Sequence, residues 1–253
     1  MDHILIQLAE VIRNKESAAL VTVVETKGAS PAKVGAQLVF FQNGVTVGTV
    51  GGGKLESSIL EDTKKDMSEA KCQLHHYQLT EEGQDSIGTL CGGEVTVFVQ
   101  PYFPPPQLVI VGGGHIGRPL KVMGEAAGFD VVVVDVAPGR ATIPELEKVK
   151  LNANSYVVLI TTDHISDEAA VRISLKTSAP YIGMIGSLAK WQIIKEHLIT
   201  DGFGNADFTR IYAPIGLDLG GPTPQEIAVA ILAEVVAVRH QRIKDNAIPL
   251  RKF

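Results

Sequence analysis

The 253-residue chain has few cysteines and no long apolar run. Its two cysteines, Cys72 and Cys91, cannot supply a zinc site by themselves, and its first residues, Met1-Asp2-His3, lack the positive region of a secretory signal. We therefore expect a reducing, cytoplasmic location and no disulfide. Because no apolar run reaches the roughly 20 residues that a membrane helix needs, we expect no membrane span.

An excess of positive charge is also missing. The chain carries 23 Lys and Arg against 28 Asp and Glu side chains, a net charge of −5, which does not favour nucleic acid or an anionic membrane as a partner. Its length and its 45% of hydrophobic residues allow two domains with separate cores. The proline-rich segment 101–106 (PYFPPP) predicts a stiff linker, with an N-terminal domain at 1–103 and a C-terminal domain at 104–253.

The most informative stretch is LVIVGGGHIG at 108–117. Its apolar run predicts a buried parallel strand, and a helix is expected from about Ile116 to Ala127. Gly112, Gly114 and Gly117 fit the pattern G-x-G-x-x-G, whose glycines allow a tight turn, close approach of a pyrophosphate and close packing of the helix. The candidate binding residues here are Gly112, Gly113, Gly114, His115, Ile116 and Gly117.

A second predicted strand, residues 130–134, ends in Asp135. A dinucleotide site needs a carboxylate at this position to bind a ribose hydroxyl, so strand, turn, helix, strand and acid together favour NAD or another dinucleotide without a 2′-phosphate. The alternative is a glycine turn that holds no ligand. The pattern predicts a doubly wound, Rossmann-like domain.

The first half of the chain predicts an α/β domain with a second glycine loop. Gly51, Gly52 and Gly53 precede a predicted helix at 54–67, so free backbone N–H groups there are expected to contact an anion or cofactor, unless the turn serves packing alone. Leu55 occupies the place of the magnesium-binding Ser or Thr of a Walker loop, which argues against nucleotide triphosphate hydrolysis. The other predicted elements are a helix at 2–14 and strands at 18–26, 36–41, 45–50 and 94–100.

Several polar or glycine residues are expected at strand ends. A predicted strand at 155–161 leads to Thr162, Asp163 and His164, with Ser166 as the expected cap of the next helix. A further strand at 181–185 leads to Gly186 and Ser187, the latter preceding a helix at 188–200. Ligands bind at the carboxyl ends of parallel strands, so His115, Asp163 and His164 are candidate catalytic groups, with helix-start contacts or hydrogen bonding to other residues as the alternative.

Two further features are singled out. Cys91 precedes the flexible pair Gly92 and Gly93, and is either a reactive thiol or a small buried apolar residue. The segment 227–238 is apolar except for Glu234, and a helix that is apolar all round must be buried. We expect it between the domains or in a homodimer interface, with Glu234 paired or near a ligand.

Taken together, the motifs resemble the xanthine dehydrogenase accessory protein family, XdhC/CoxI. The resemblance is carried by GASP at 28–31, GTVGGGKLE at 48–56, CGGEV at 91–95, LVIVGGGHIG at 108–117, TDHISD at 162–167, IGMIGS at 182–187 and PIGLDLGGPTPQEIAVAILAEVVAVR at 214–239. It implies an N-terminal α/β domain and a C-terminal Rossmann-like domain. It also implies binding of the molybdenum cofactor (molybdopterin), help with its sulfuration by a partner sulfurase, and delivery to a molybdenum hydroxylase apoenzyme.

The resemblance makes Cys91, Gly92 and Gly93 one candidate contact to the cofactor, and the loop at 51–53 with Glu56 another. A thiolate is a soft ligand that suits molybdenum or sulfur chemistry. The leading hypothesis is therefore a maturation factor. The alternative is an NAD-dependent oxidoreductase, in which His115 or His164 acts as acid or base and Asp163 orients it.

Overall fold

The computed structural model describes residues 2–80, 92–137, 139–161 and 164–242. The chain divides into two compact units, Met1–Pro104 and Pro105–Phe253. Across these described ranges, no helix combines the length and the apolar character that crossing a membrane requires.

Unit 1 is a five-stranded antiparallel sheet with a helix on each face. Its elements are α1 (Asp2–Arg13), β1 (Ala18–Lys27), β2 (Gln37–Phe41), β3 (Thr46–Gly48), α2 (Gly53–Glu69), β4 (Gln73–Gln78) and β5 (Glu94–Tyr102), with strand order β3-β2-β1-β5-β4. Successive strand residues point to opposite faces. Val21 and Val97 therefore pack with Ile59 of α2, whereas Ala18 and Val39 pack with Leu8 of α1.

Unit 2 is a parallel sheet covered on both faces by helices. Its elements are β6 (Gln107–Val111), α3 (Gly117–Ala126), β7 (Asp130–Val134), a 3-10 helix (Leu146–Lys148), β8 (Ser155–Leu159), α4 (His164–Leu175), β9 (Tyr181–Met184), α5 (Leu188–Thr200), α6 (Asn205–Phe208), β10 (Ile211–Tyr212) and α7 (Pro224–Arg239). The strand order is β10-β9-β8-β6-β7. One core lies between the sheet and α3 with α7, the other between the sheet and α4 with α5. The predicted Rossmann-like, doubly wound fold is confirmed.

The strand order places a switch point between β6 and β8. The chain leaves β6 for β7 on one side and later returns to β8 on the other side. The loops that follow β6 and β8 consequently separate, and in open parallel sheets this opening is where ligands bind.

Some sequence predictions differ from the structure. The prediction that Ser166 caps α4 is wrong, because α4 begins at His164 and Ser166 lies in its first turn. Helix α7 packs one side into the core of unit 2, whereas Val229 is 46% exposed in the single chain, so the expected position between the domains or in a homodimer interface stays a prediction. Strands β4 and β10 and helix α6 were not predicted; β4 is an edge strand in which Tyr77 is the one buried residue, so it lacks an apolar alternation.

Candidate functional site: a glycine turn at the switch point of unit 2

Three of the four glycines in the turn between β6 and α3 are tightly packed, and a Cβ on Gly113 would lie 2.6 Å from the carbonyl oxygen of Arg140. Gly112 has a φ of +117°, and a Cβ there would lie 2.5 Å from the carbonyl oxygen of Ile160. A Cβ on Gly117 would overlap the carbonyl oxygen of Gly112. Gly112 and Gly117 therefore exclude a side chain for steric reasons, as the sequence pattern predicts.

Gly114, by contrast, faces open space. A Cβ at this position would have no neighbour within 4 Å. Among the described residues, the backbone N–H groups of Gly114, His115 and Ile116 make no hydrogen bond to another protein group. Unpaired N–H groups at the start of a helix are suited to an anion such as a phosphate.

Asp135 follows β7 and is bonded to the turn. Its carboxylate accepts a hydrogen bond from the N–H of Gly113 at 2.8 Å and another from the N–H of Ala137 at 2.8 Å. These bonds fix the carboxylate beside the glycine turn. Each carboxylate oxygen has a further lone pair, so the group remains able to accept from a ligand hydroxyl.

A cavity of about 550 Å³ opens beside Gly112, Gly114 and Asp135. Its wall is apolar where the 3-10 helix and α4 contribute Leu146, Ala170 and Ile173, and polar at the strand ends. This size and mixture are typical of small-molecule sites. Other polar side chains that line it are Arg140, Glu145, Glu147, Thr161 and Ser166.

Asp167 and Lys190 form a buried ion pair between the helices that follow β8 and β9. Asp167 is fully buried in the first turn of α4, and its carboxylate accepts from the Thr161 hydroxyl at 2.6 Å and from the Lys190 ammonium. Lys190 also donates to the carbonyl oxygen of Ile185 at 3.3 Å. Sequence reasoning missed this pair because its partners are separated by 23 residues. The pair connects the starts of α4 and α5 to the cavity wall at Thr161.

Gly186 and Ser187 have structural roles in this region. Gly186 has a φ of +139°, and a side chain there would contact the methylenes of Lys190. Ser187 caps α5, because its hydroxyl accepts from the N–H of Lys190 at 3.2 Å. Neither residue lines the cavity, nor does His115, which is exposed at the start of α3.

The glycine loop of unit 1 contains its own carboxylate. Glu56 accepts hydrogen bonds from the N–H of Val50 at 3.1 Å, the N–H of Gly52 at 3.2 Å and the hydroxyl of Thr49 at 2.6 Å. The N–H of Gly51 donates to the Thr49 hydroxyl at 3.3 Å. An external anion would have to displace Glu56 from these amides, so the geometry gives the expected anion contact no support.

The two glycines after Cys91 contact other backbone groups of the protein. The N–H of Gly92 donates to the carbonyl oxygen of Leu79 at 2.7 Å, and a Cβ on Gly93 would overlap the carbonyl oxygen of Ala29. Cys91, Thr162 and Asp163 lie outside the described residues, as does the side chain of His164. Their suggested roles stay predictions.

Glu234 is paired, as the sequence predicted. It is 2% exposed and accepts from the Tyr181 hydroxyl at 2.5 Å and from the N–H of Gly216 at 3.1 Å. Burial raises the pKa of Glu234 above its ordinary value, and the two hydrogen bonds offset part of that rise. Burial, followed by the adjacent Glu234, raises the pKa of Tyr181 well above its ordinary value, so the phenol keeps its proton and remains a donor.

Comparison with known proteins agrees with these motifs. The sequence model described as the XdhC Rossmann domain matches residues 108–235, and the model of the XdhC and CoxI family matches residues 11–78. The uncharacterized protein YqeB of Escherichia coli K12 is 30% identical over 238 residues, which are 88% of this chain and 43% of YqeB. The chain thus spans less than half the length of that relative.

Two other relatives match over most of their length. One, from Bacillus subtilis 168, is named as a probable component of xanthine dehydrogenase and is 22% identical over 92% of this chain and 96% of its own. The molybdenum cofactor insertion chaperone PaoD of E. coli K12 is 24% identical over 95% of this chain and 89% of its own. A crystal structure described as a xanthine dehydrogenase from Bacillus halodurans has 20% identity and a TM-score of 0.49 over 96% of this chain and 98% of its own. On the matches to both domains, this chain belongs to the XdhC and CoxI family.

Proposed function

We propose that this chain is a maturation factor that binds the molybdenum cofactor and passes it to the apoenzyme of a molybdenum hydroxylase. The family membership supports this proposal, together with the name of PaoD, a molybdenum cofactor insertion chaperone. The finer parts of the proposal are a partner sulfurase, a cytoplasmic location and a homodimer.

The observation that carries the proposal is the open backbone at Gly114. Among the described residues, the N–H groups of Gly114, His115 and Ile116 donate to no other protein group, and a Cβ on Gly114 would meet no atom within 4 Å. The cofactor carries a phosphate, either terminal or as the pyrophosphate of a dinucleotide. These N–H groups would bind the phosphate, and the adjoining cavity of about 550 Å³ would enclose the organic group next to it.

The residues around the turn have separate tasks in this proposal. Asp135 holds the turn in shape through Gly113 and offers its remaining lone pairs to a ligand hydroxyl. Lys190 and Asp167 hold the start of α4, and thereby Thr161, in one position at the cavity wall. Because these groups bind and orient, the protein needs no reaction of its own; the bound cofactor supplies the molybdenum chemistry after transfer.

One observation favours the alternative, an NAD-dependent oxidoreductase. Asp135 stands at the end of β7 beside the glycine turn, which is the arrangement that binds an adenosine ribose in dehydrogenases. His115 would then be a candidate acid or base, since it follows Gly114 directly.

The two functions are separated by identifying the bound molecule. The protein is purified from cells with and without molybdenum cofactor synthesis, and the compounds released on denaturation are identified by mass spectrometry. Molybdopterin, or its dinucleotide, released only from the first preparation supports the maturation factor. NAD in both preparations, with reduction of NAD when a substrate is added, contradicts it and supports the alternative.

A further inference from the structure

A second cavity lies within unit 1, apart from the glycine loop of that unit. It has a volume of about 420 Å³ and is formed by the turn between β2 and β3, the C-terminal half of α2 and the residue after β5. We call it the hairpin cup and define it by Ser17, Phe40, Gln42, Asn43, Lys64 and Phe103.

The hairpin cup contains two aromatic rings of different exposure. Phe40 is 4% exposed and belongs to the core beneath α2, whereas Phe103 is 46% exposed. An exposed ring beside a cavity offers a flat surface on which another flat ring can stack. Stacking of this kind accepts many heteroaromatic rings, because each has a π-face.

The charge in the wall of the hairpin cup is positive. Lys64 is the one ionisable side chain among the described residues that line it, and its ammonium lies 6.0 Å from the centroid of the Phe40 ring. A ligand with an anionic group near Lys64 would therefore meet no opposing carboxylate in the cavity wall.

Amide side chains among the lining residues supply hydrogen-bonding groups. The side-chain oxygen of Asn43 accepts from the N–H of Val45 at 3.0 Å, which fixes its amide, and its NH₂ group is a donor. Gln42 adds a second exposed amide. Amides that both donate and accept match the ring nitrogens, carbonyl and amino groups of a heterocycle.

From these features we infer that the hairpin cup binds a planar heteroaromatic ring that carries an anionic group. The ring stacks on Phe103, the anion pairs with Lys64, and the amides of Gln42 and Asn43 contact the edge of the ring. This inference concerns unit 1 alone and does not depend on the proposed function.

The test uses pterin-6-carboxylate, a fluorescent compound that is planar, heteroaromatic and anionic. Its fluorescence anisotropy is measured against the full-length protein at low salt. We expect saturable binding that weakens about tenfold in Phe103→Ala and Phe103→Leu but persists in Phe103→Tyr, because stacking requires an aromatic face. Lys64→Gln should weaken binding about threefold to tenfold, and added salt should reduce that difference.

The matched control is Lys65→Gln, which removes a neighbouring exposed lysine that does not line the hairpin cup. It should bind pterin-6-carboxylate as the wild type does. The inference is overturned if the wild type does not bind the probe, if Phe103→Ala binds it equally well, or if Lys64→Gln binds pterin-6-carboxylate as tightly as the wild type does.

A further variant separates this inference from the proposed function. Gly114→Val alters unit 2 alone, so it should bind pterin-6-carboxylate as the wild type does. Loss of pterin-6-carboxylate binding in Gly114→Val would place the probe in unit 2, which overturns the inference and leaves the proposed function standing.

Discussion

The carboxylate of Asp135 accepts a hydrogen bond from the backbone N–H of Gly113 at 2.8 Å, which joins the end of β7 to the glycine turn. A second bond, from the N–H of Ala137, fixes the other carboxylate oxygen. Asp135, which the sequence predicts to bind a ribose, thus also stabilises the glycine turn. Its supporting role can be tested by mutation.

Replacing Asp135 by Ala should lower both stability and ligand affinity. The N–H groups of Gly113 and Ala137 then lose a charged acceptor. Because the site is half-buried, water can hydrogen-bond to these groups instead. We therefore expect a decrease of about 1–2 kcal/mol in the free energy of unfolding. Asp135→Asn keeps one acceptor oxygen and should lose about half as much. Urea unfolding measures the effect, and an unchanged midpoint for Asp135→Ala would contradict the supporting role.

Replacing Glu56 by Ala should create an anion site in unit 1. The amides of Val50 and Gly52 then lose their acceptor, which destabilises the protein by about 1–2 kcal/mol. Phosphate at millimolar concentration should restore part of this loss, because it can occupy the vacated place at the start of α2. Thermal unfolding with and without phosphate checks this, with Glu61→Ala, an exposed carboxylate of the same helix, as the control. If phosphate stabilises the wild type as much as Glu56→Ala, Glu56 does not occupy the anion position.

Removing one partner of the buried ion pair should be severe. Lys190→Met leaves Asp167 fully buried without its cation, and we expect a loss of about 3–5 kcal/mol in unfolding free energy. The double variant Lys190→Met/Asp167→Asn should lose less than the sum of the single losses. Lys176→Met, at an exposed position of the same unit, should stay within about 0.5 kcal/mol of the wild type. Additive losses in urea unfolding would show that the two side chains are not coupled.

The raised pKa of Glu234 predicts a specific pH dependence. The unfolded chain releases the proton of Glu234 near its ordinary pKa of 4.5, whereas the folded chain holds it to a higher pH. The stabilising contribution is therefore complete below pH 4.5 and is lost as pH rises through the folded pKa. Glu234→Gln should show a smaller decrease of unfolding free energy over this range, since glutamine does not titrate.

The control for this pH series is Glu125→Gln, which changes an exposed carboxylate on α3. It should keep the pH slope of the wild type. Equal slopes for the wild type and Glu234→Gln in urea unfolding between pH 4 and pH 8 would contradict a buried, proton-holding Glu234.

The turn between β6 and α3 could be predicted because its glycines obey local steric rules. Gly112 and Gly117 have no room for a side chain, and such restrictions leave a recognisable spacing in the sequence. The cap of α7 is equally local, because Thr223 accepts from the N–H of Glu226 at 3.3 Å within a four-residue segment.

Features that depend on tertiary contacts could not be predicted in this way. Lys190 and Asp167 meet only because β8 and β9 are adjacent in the sheet. The sequence of the loop suggests free backbone N–H groups. In the structure, the N–H groups of Val50 and Gly52 donate to the carboxylate of Glu56. Sequence periodicity does not record either contact.

The most direct test of the account is calorimetric titration of molybdopterin into the wild type, Gly114→Val and Gly204→Val. Gly204 is a suitable control because its nearest neighbour would be 4.0 Å from an added Cβ and it lies outside the cavity. We predict tight binding by the wild type and Gly204→Val, and a loss of at least tenfold in affinity for Gly114→Val without a change in its unfolding midpoint. Equal affinity of all three proteins would contradict the claim that the backbone at Gly114 holds the cofactor phosphate.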